Sequence, residues 1–169
     1  NQVHIPGANA RGTNFIATLD KVYIAKKDSC LVLDSATGKT IDEFRLPTDP
    51  KTGQTPEWGY IGIYKDYLIA GAGFVRFLDL VELDELDSRM KTRVSDFYNF
   101  DITSSKRLVV MNRHTGKVIW TKDSELGFRH SAIVAGDGKV FCVDIVPEPV
   151  SSALKRRLGE YRLVPPKLL

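Results

Sequence analysis

Two stretches of the chain repeat one another. Leu31-Val32-Leu33-Asp34-Ser35-Ala36-Thr37-Gly38-Lys39-Thr40-Ile41 matches Val109-Val110-Met111-Asn112-Arg113-His114-Thr115-Gly116-Lys117-Val118-Ile119-Trp120. Each has an apolar triplet, Asp or Asn, two variable residues, Thr-Gly-Lys and a second apolar stretch. This is a β-hairpin: Asp34 or Asn112 starts the turn by bonding nearby backbone, and Gly38 or Gly116 supplies the φ > 0 position.

A second unit, strand-turn-strand, occurs three times. It runs Asn14–Thr18 into Val22–Ala25, Gly59–Ile63 into Tyr67–Gly71, and His130–Val134 into Lys139–Val143. β-branched and aromatic residues fill the strands, while Asp and Gly gather in the turns. Joining the two kinds of unit gives a four-stranded antiparallel meander, with strands A to D. Blade one covers 13–46 and blade two 58–121. Blade three opens near Phe128, runs over 128–169 and stays incomplete, with Lys167-Leu168-Leu169 at the start of its strand C. Four-stranded sheets repeated about every 40–50 residues mark a β-propeller. The expected fold is thus all-β, a single partial propeller domain over 1–169 with about three blades. The alternative is a plain antiparallel sandwich made of the same hairpins.

Two insertions, 75–105 and 145–166, interrupt the repeat between strands B and C. In the first, Leu80, Leu83, Leu86, Met90, Val94 and Phe97 recur at helical spacing, opposite an acidic face that includes Glu82, Asp84 and Glu85. In the second, Ser151 or Ser152 can cap a short helix through Leu154 and Leu158, ended by Gly159. Connections in a meander alternate between the two ends of the strands. Both insertions therefore decorate the rim that also carries the D–A connection Pro47–Glu57. Strand A starts from that rim. This makes Arg11, Asn14, Trp58, Tyr60, Arg129 and His130 the candidate ligand- or partner-facing residues, because function on a repeat scaffold usually lives in the loops of one face.

Composition removes several classes. Among 169 residues, 24 basic and 21 acidic side chains give a net charge of +3, too balanced to signal nucleic acid. No apolar run approaches the ~20 residues of a membrane span. Two cysteines, Cys30 and Cys142, make neither a disulfide-dense scaffold nor a four-cysteine zinc site. In apolar strands they read as buried, inert thiols. The chain starts at Asn1, as expected of a processed product or an excised piece.

The turn motif resembles the blade motif of the pyrroloquinoline-quinone (PQQ) dehydrogenase-like propellers, Ala-x-Asp-x-x-x-Gly-x-x-x-Trp. Gly116 and Trp120 match it, with Asn112 in place of the Asp and Val110 in place of the Ala. In blade one Asp34 and Gly38 match, Asp42 stands where the Trp is expected, and Phe44 is placed to take over its apolar contact. The resemblance implies that Trp120 docks neighbouring blades, and that the protein is exported to the periplasm or outside the cell. The family contains quinone-dependent alcohol and sugar dehydrogenases as well as non-enzymatic propellers. Its dehydrogenases carry a vicinal Cys-Cys pair over the quinone, a stacking Trp and a calcium ion. This chain has no Cys-Cys, and no short stretch offers the six or more oxygen ligands of calcium.

No other motif carries chemistry. His130, Ser131 and Asp137 could compose a hydrolytic triad, but adjacent strand residues point to opposite faces and there is no Gly-x-Ser-x-Gly elbow. Gly71-Ala72-Gly73 reads as a strand end or bulge, and His4, His114 and His130 lack metal spacing. Three readings remain. The first is a non-catalytic scaffold whose partners are other proteins, the remaining blades, or copies of itself meeting at exposed blade edges. The second is a fragment of a quinone-dependent oxidoreductase, with PQQ and calcium as cofactors. The third is a carbohydrate- or small-ligand-binding propeller using Trp58, Tyr60 and Arg129.

Overall fold

The computed structural model describes residues 14–50, 52–76, 81–82, 103–146, 151–152, 155–156 and 162–163. The strands are β1 (Phe15–Ala17), β2 (Lys21–Lys26), β3 (Ser29–Asp34), β4 (Thr40–Arg45), β5 (Trp58–Tyr64), β6 (Tyr67–Phe74), β7 (Val81–Glu82), β8 (Ser104–Asn112), β9 (Val118–Arg129), β10 (Val134–Gly136), β11 (Lys139–Phe141) and β12 (Arg162–Leu163). Sheet one has the order β1-β2-β3-β4 and sheet two the order β5-β6-β8-β9. All their pairings are antiparallel, so each is an up-and-down meander. A third hairpin, β10–β11, turns at Asp137-Gly138, both with positive φ as a two-residue hairpin turn of the primed type requires. The fold is all-β, and the sheets stack as consecutive propeller blades do.

The expected helices of the insertions lie largely outside the described residues, as does the expected strand at Lys167–Leu169. Val81 and Glu82 form strand rather than helix, because they pair with Leu163 and Arg162. Residues 130–132, expected in a strand, form a 3-10 turn, and the strand begins only at Val134. Positions 151–152 and 155–156 are helical.

The two repeated turns are built alike. Asp34 Oδ1 accepts the Thr37 backbone N–H and the Thr37 hydroxyl, both at 2.7 Å. Asn112 Oδ1 accepts the same two groups of Thr115 at 3.1 and 3.2 Å. The charged acceptor makes the shorter bonds. Gly38 (φ 68°) and Gly116 (φ 67°) each donate to the carbonyl of the Asp or Asn at 2.9 Å.

Sheet two is covered on both sides. One face, with Trp58, Ile61, Leu68 and Met111, packs on Tyr23, Cys30, Val32 and Phe44 of sheet one. The other, with Ile69, Leu108, Val110 and Phe128, packs on Ile133, Ala135, Val140 and Cys142 of the third hairpin and its approaches. Trp120, expected to dock between blades, stands in β9 opposite Val110 and is 40% exposed. It lines a cleft of about 170 Å³ with Tyr64, Tyr67, Ile69, Val110 and Val140. Among the described residues the third sheet is the two-stranded β10–β11 hairpin, and Trp120 stays partly exposed beside it.

The apolar contact in blade one goes instead to Phe44, 4% exposed, whose ring lies on the Gly116 turn of the next sheet. At the same end, Tyr23 donates its hydroxyl to the Arg113 carbonyl at 3.0 Å, and Arg113 Nη1 donates to Asp20 at 3.0 Å. The Thr18 hydroxyl, 2.7 Å away, and then Arg113 hold the Asp20 carboxyl at about 2, below its ordinary 3.8. At the opposite end the Trp58 amide donates to the Lys27 carbonyl at 2.7 Å. Apolar stacking is thus tied at both rims.

A Cβ at Gly116 would lie 2.6 Å from Phe44 Cδ1, whereas Gly38 has open space around the same turn. Gly38→Ala is expected to cost only the left-handed backbone penalty, about 1–2 kcal/mol. Gly116→Ala adds overpacking of about 1–3 kcal/mol. Urea unfolding measures both, and equal losses would show that the Phe44 ring does not rest on the turn. Because the Asp20 pKa is depressed, its ion pair stabilises fully above pH 3.8 and is lost as pH falls toward 2. Asp20→Asn should therefore show a shallower loss of melting temperature between pH 4 and pH 2 than the parent chain.

Candidate functional site

β5 and β8 start, and β6 and β9 end, at one rim. β7 and β12, one from each insertion, pair with each other, so the two insertions meet. β7 comes after β6 within the first insertion, which leaves sheet two from this rim.

A buried polar cluster lies beneath that rim. His130 is 4% exposed, and its Nε2 sits 2.8 Å from Oγ of Ser105, which is fully buried. The imidazole centroid is 6.0 Å from the Tyr60 ring and 6.1 Å from the Phe74 ring. His130 N–H donates to the Thr103 carbonyl at 2.9 Å, and the Arg129 guanidinium donates to the Thr103 hydroxyl. Tyr60 donates its hydroxyl to the Ile133 carbonyl at 3.4 Å, and burial pushes its pKa up.

Glycines and bulges make this cluster possible. A Cβ at Gly59 would stand 3.2 Å from His130 Nε2, and one at Gly71 would overlap Ser105 Oγ and come within 2.9 Å of Tyr60 Cβ. Only hydrogen at these two positions leaves room for the serine–histidine pair. The register of β5 against β6 slips between Trp58 and Tyr60. A bulge of this kind breaks the two-residue alternation, which otherwise puts residues i and i+2 on one face. Trp58 therefore enters the core shared with sheet one, while Tyr60 faces the third hairpin. A second slip, between Ser105 and Arg107, keeps Ser105 on the side of Leu108.

Of the six candidate residues, Tyr60, Arg129 and His130 come together. Trp58 lies on the opposite face of the sheet, 6% exposed, with its Nε1 unpartnered among the described residues. Asn14 is exposed on sheet one, where its carbonyl accepts the Ala25 amide at 2.7 Å, and Arg11 lies outside the described residues. His114 sits in its turn 2.8 Å from Asp66 Oδ1.

Sequence reasoning missed two residues. Ser105 is the serine that reaches His130. Ser131, the chain neighbour of His130, is exposed on the 3-10 turn. The available signal was the pair of small strand residues, Gly59 and Gly71, that face Ser105. Asp144 accepts backbone N–H groups of Glu125, Leu126 and Gly127 at 2.6, 2.9 and 2.6 Å, clamping the third hairpin to the end of β9. No local pattern marks it, since its donors lie 17–19 residues away.

Chemically, the cluster centres on a buried Ser105–His130 hydrogen bond, with part-buried bonds from Tyr60 and Arg129 around it. Ser105 presents no hydroxyl to solvent. Among the described residues no group of three or more His, Cys, Asp or Glu is placed to hold a metal ion. Cys30 lies in the core between sheets one and two and Cys142 on the far side of sheet two, so they do not form the quinone-covering pair of the dehydrogenases. Burial pushes the Cys30 thiol up to about 12. The Trp58 ring is packed in protein and offers no open face for stacking. Among the described residues, no helix is long and apolar enough to cross a membrane.

No family profile matches the chain, and no curated protein does. Among solved structures it is similar to a quinohemoprotein alcohol dehydrogenase from Pseudomonas putida HK5, at 12% identity and a TM-score of 0.33. The match covers 76% of this chain but spans only 30% of that structure.

Ser105→Ala is expected to cost about 1–3 kcal/mol by leaving the imidazole without its partner. Asp144→Ala, which strips three amides of a charged acceptor, is expected to cost at least as much. A serine-directed sulfonyl fluoride should leave Ser105 unmodified in the folded protein, as read by intact mass. Stoichiometric labelling would show that the cluster opens to solvent.

Proposed function

We propose that this chain is a segment of a PQQ-like β-propeller acting as a non-catalytic scaffold or protein-interaction module in a larger exported protein. The observation that carries this reading is the buried state of the rim cluster. Ser105 and His130 bond to each other beneath the rim, the serine fully buried and the histidine 4% exposed. The two insertions, which meet through β7 and β12, are loops of the kind that bind partners on repeat scaffolds. The repeated Asp34 and Asn112 turns and the stacked sheets support the propeller. Their likeness to the PQQ-type blade motif supports the family and, through it, a periplasmic or extracellular location.

The second reading, a fragment of a quinone-dependent oxidoreductase, would need PQQ and calcium ligands from residues other than Cys30, Cys142 and Trp58. Titration with PQQ and calcium, followed by absorbance, discriminates the two. The expected result is an unchanged quinone spectrum and no dye reduction with alcohols or sugars. A saturable spectral change would move the assignment to the oxidoreductase.

A further inference from the structure

The outer edges of the two sheets are finished differently. β4, the last strand of sheet one, is six residues long and charged. Asp42 Oδ1 accepts the Glu43 backbone N–H at 2.8 Å, and Arg45 pairs with Asp28 and Glu43 at 2.7 and 2.8 Å. Short, charged edges resist pairing with another chain. β9, the last strand of sheet two, is 12 residues long. Toward its end, Asp144 takes up the backbone N–H groups of Glu125, Leu126 and Gly127. The start of the strand has no such cover. Every residue from Lys117 to Asp123 is exposed, and among the described residues 118–123 pair with β8 alone.

A long, uncovered edge strand is a template for a further strand. The side chains along this one are apolar in the middle and charged at the ends. Val118, Ile119 (50% exposed) and Trp120 lie between Lys117 on one side and Lys122 and Asp123 on the other. The order of the charges is self-complementary. An antiparallel second copy of the stretch sets Lys117 opposite Asp123 of the other copy and Val118 opposite Lys122, each contact made twice. The aliphatic stem of Lys122 then covers Val118. Asp123 already bonds Arg107, whose Nη2 donates at 3.0 Å, yet its side chain is 62% exposed and open to the added lysine. A parallel copy in register would set Lys117 against Lys117. The same antiparallel pairing about the middle of β4 would set Asp42 against Glu43. Like charges directly opposite are destabilising, so only β9 paired antiparallel is favourable.

We propose that a second copy of this chain pairs antiparallel with β9 along residues 117–123, joining the two copies of sheet two edge to edge. The contact is isologous, using the same patch on both copies, as in most homodimers. It rests on the propeller reading above, which places the last strand of each blade on the perimeter of the ring. Blades stack on one another through their faces. Further blades therefore leave this edge open, and the contact does not depend on how many there are.

The test compares the full chain with Lys117→Asp, Asp123→Lys and the double variant carrying both, all at exposed positions. Sedimentation equilibrium is expected to report a dimer for the parent. Each single variant sets like charges opposite one another at both ends of the contact, and its dimerisation should weaken about tenfold or more. The double variant exchanges the two charges and should dimerise as the parent does. An equimolar mixture of the single variants should also regain dimers, since opposite charges then meet at both ends. Rescue of either kind excludes unfolding as the cause of the loss. Backbone amides of 118–123 are expected to exchange hydrogen more slowly in the dimer. A monomeric parent, single variants that dimerise like the parent, a double variant that stays monomeric, or unchanged exchange along 118–123 overturns the proposal. Failure here, with PQQ still unbound, removes the second copy and leaves the scaffold reading standing.

Discussion

The whole arrangement depends on sheet two being buried on both faces. Leu68, Ala70 and Ala72 are fully covered from one side, while Ile69 and Leu108 are covered from the other. A strand in that position is apolar without alternation. β6 reads Tyr-Leu-Ile-Ala-Gly-Ala-Gly-Phe for this reason. Sheet one and the third hairpin are held by their contact with this layer. Full burial of a Leu-sized side chain is worth about 1.5–3 kcal/mol, so the layer outweighs any single hydrogen bond at the rims.

The polar contacts decide how the layers sit. Tyr23, Arg113 and Asp20 tie one rim, and the Trp58 amide and Lys27 carbonyl tie the other. A hydrophobic face alone tolerates sliding, because dispersion and burial have little direction. Fixed donors and acceptors at both ends specify one alignment. The Asp144 carboxylate does the same for the third hairpin, where three amides converge on one side chain. The Ser105–His130 pair belongs to this class of contact. It is directional, buried and made possible by two glycines.

The turns were legible in the chain because their chemistry is local. Asp34 and Asn112 bond residues three positions away, and Gly38 and Gly116 take a backbone conformation that other residues resist. The two four-stranded meanders arise from those turns and from the β-branched runs between them. The rim was harder to read. Simple alternation puts Trp58 and Tyr60 on the same side, and the bulge at Gly59 separates them. His130 sits in a 3-10 turn because its N–H is taken by Thr103, a residue 27 positions earlier. Trp120, whose place in the motif implies a buried docking residue, is covered only as far as the third hairpin reaches.

Local sequence thus determined the strand count of the two sheets, their antiparallel order and the conformation of their turns. Each of these depends on interactions within a few residues. Tertiary structure alone decided which face of each strand is covered, which serine meets His130, and which carboxylate gathers the amides of β9. Those outcomes turn on one-residue slips in register and on neighbours far away in the chain. A register slip reverses the face of every residue beyond it, and no propensity of the residues themselves records where it falls.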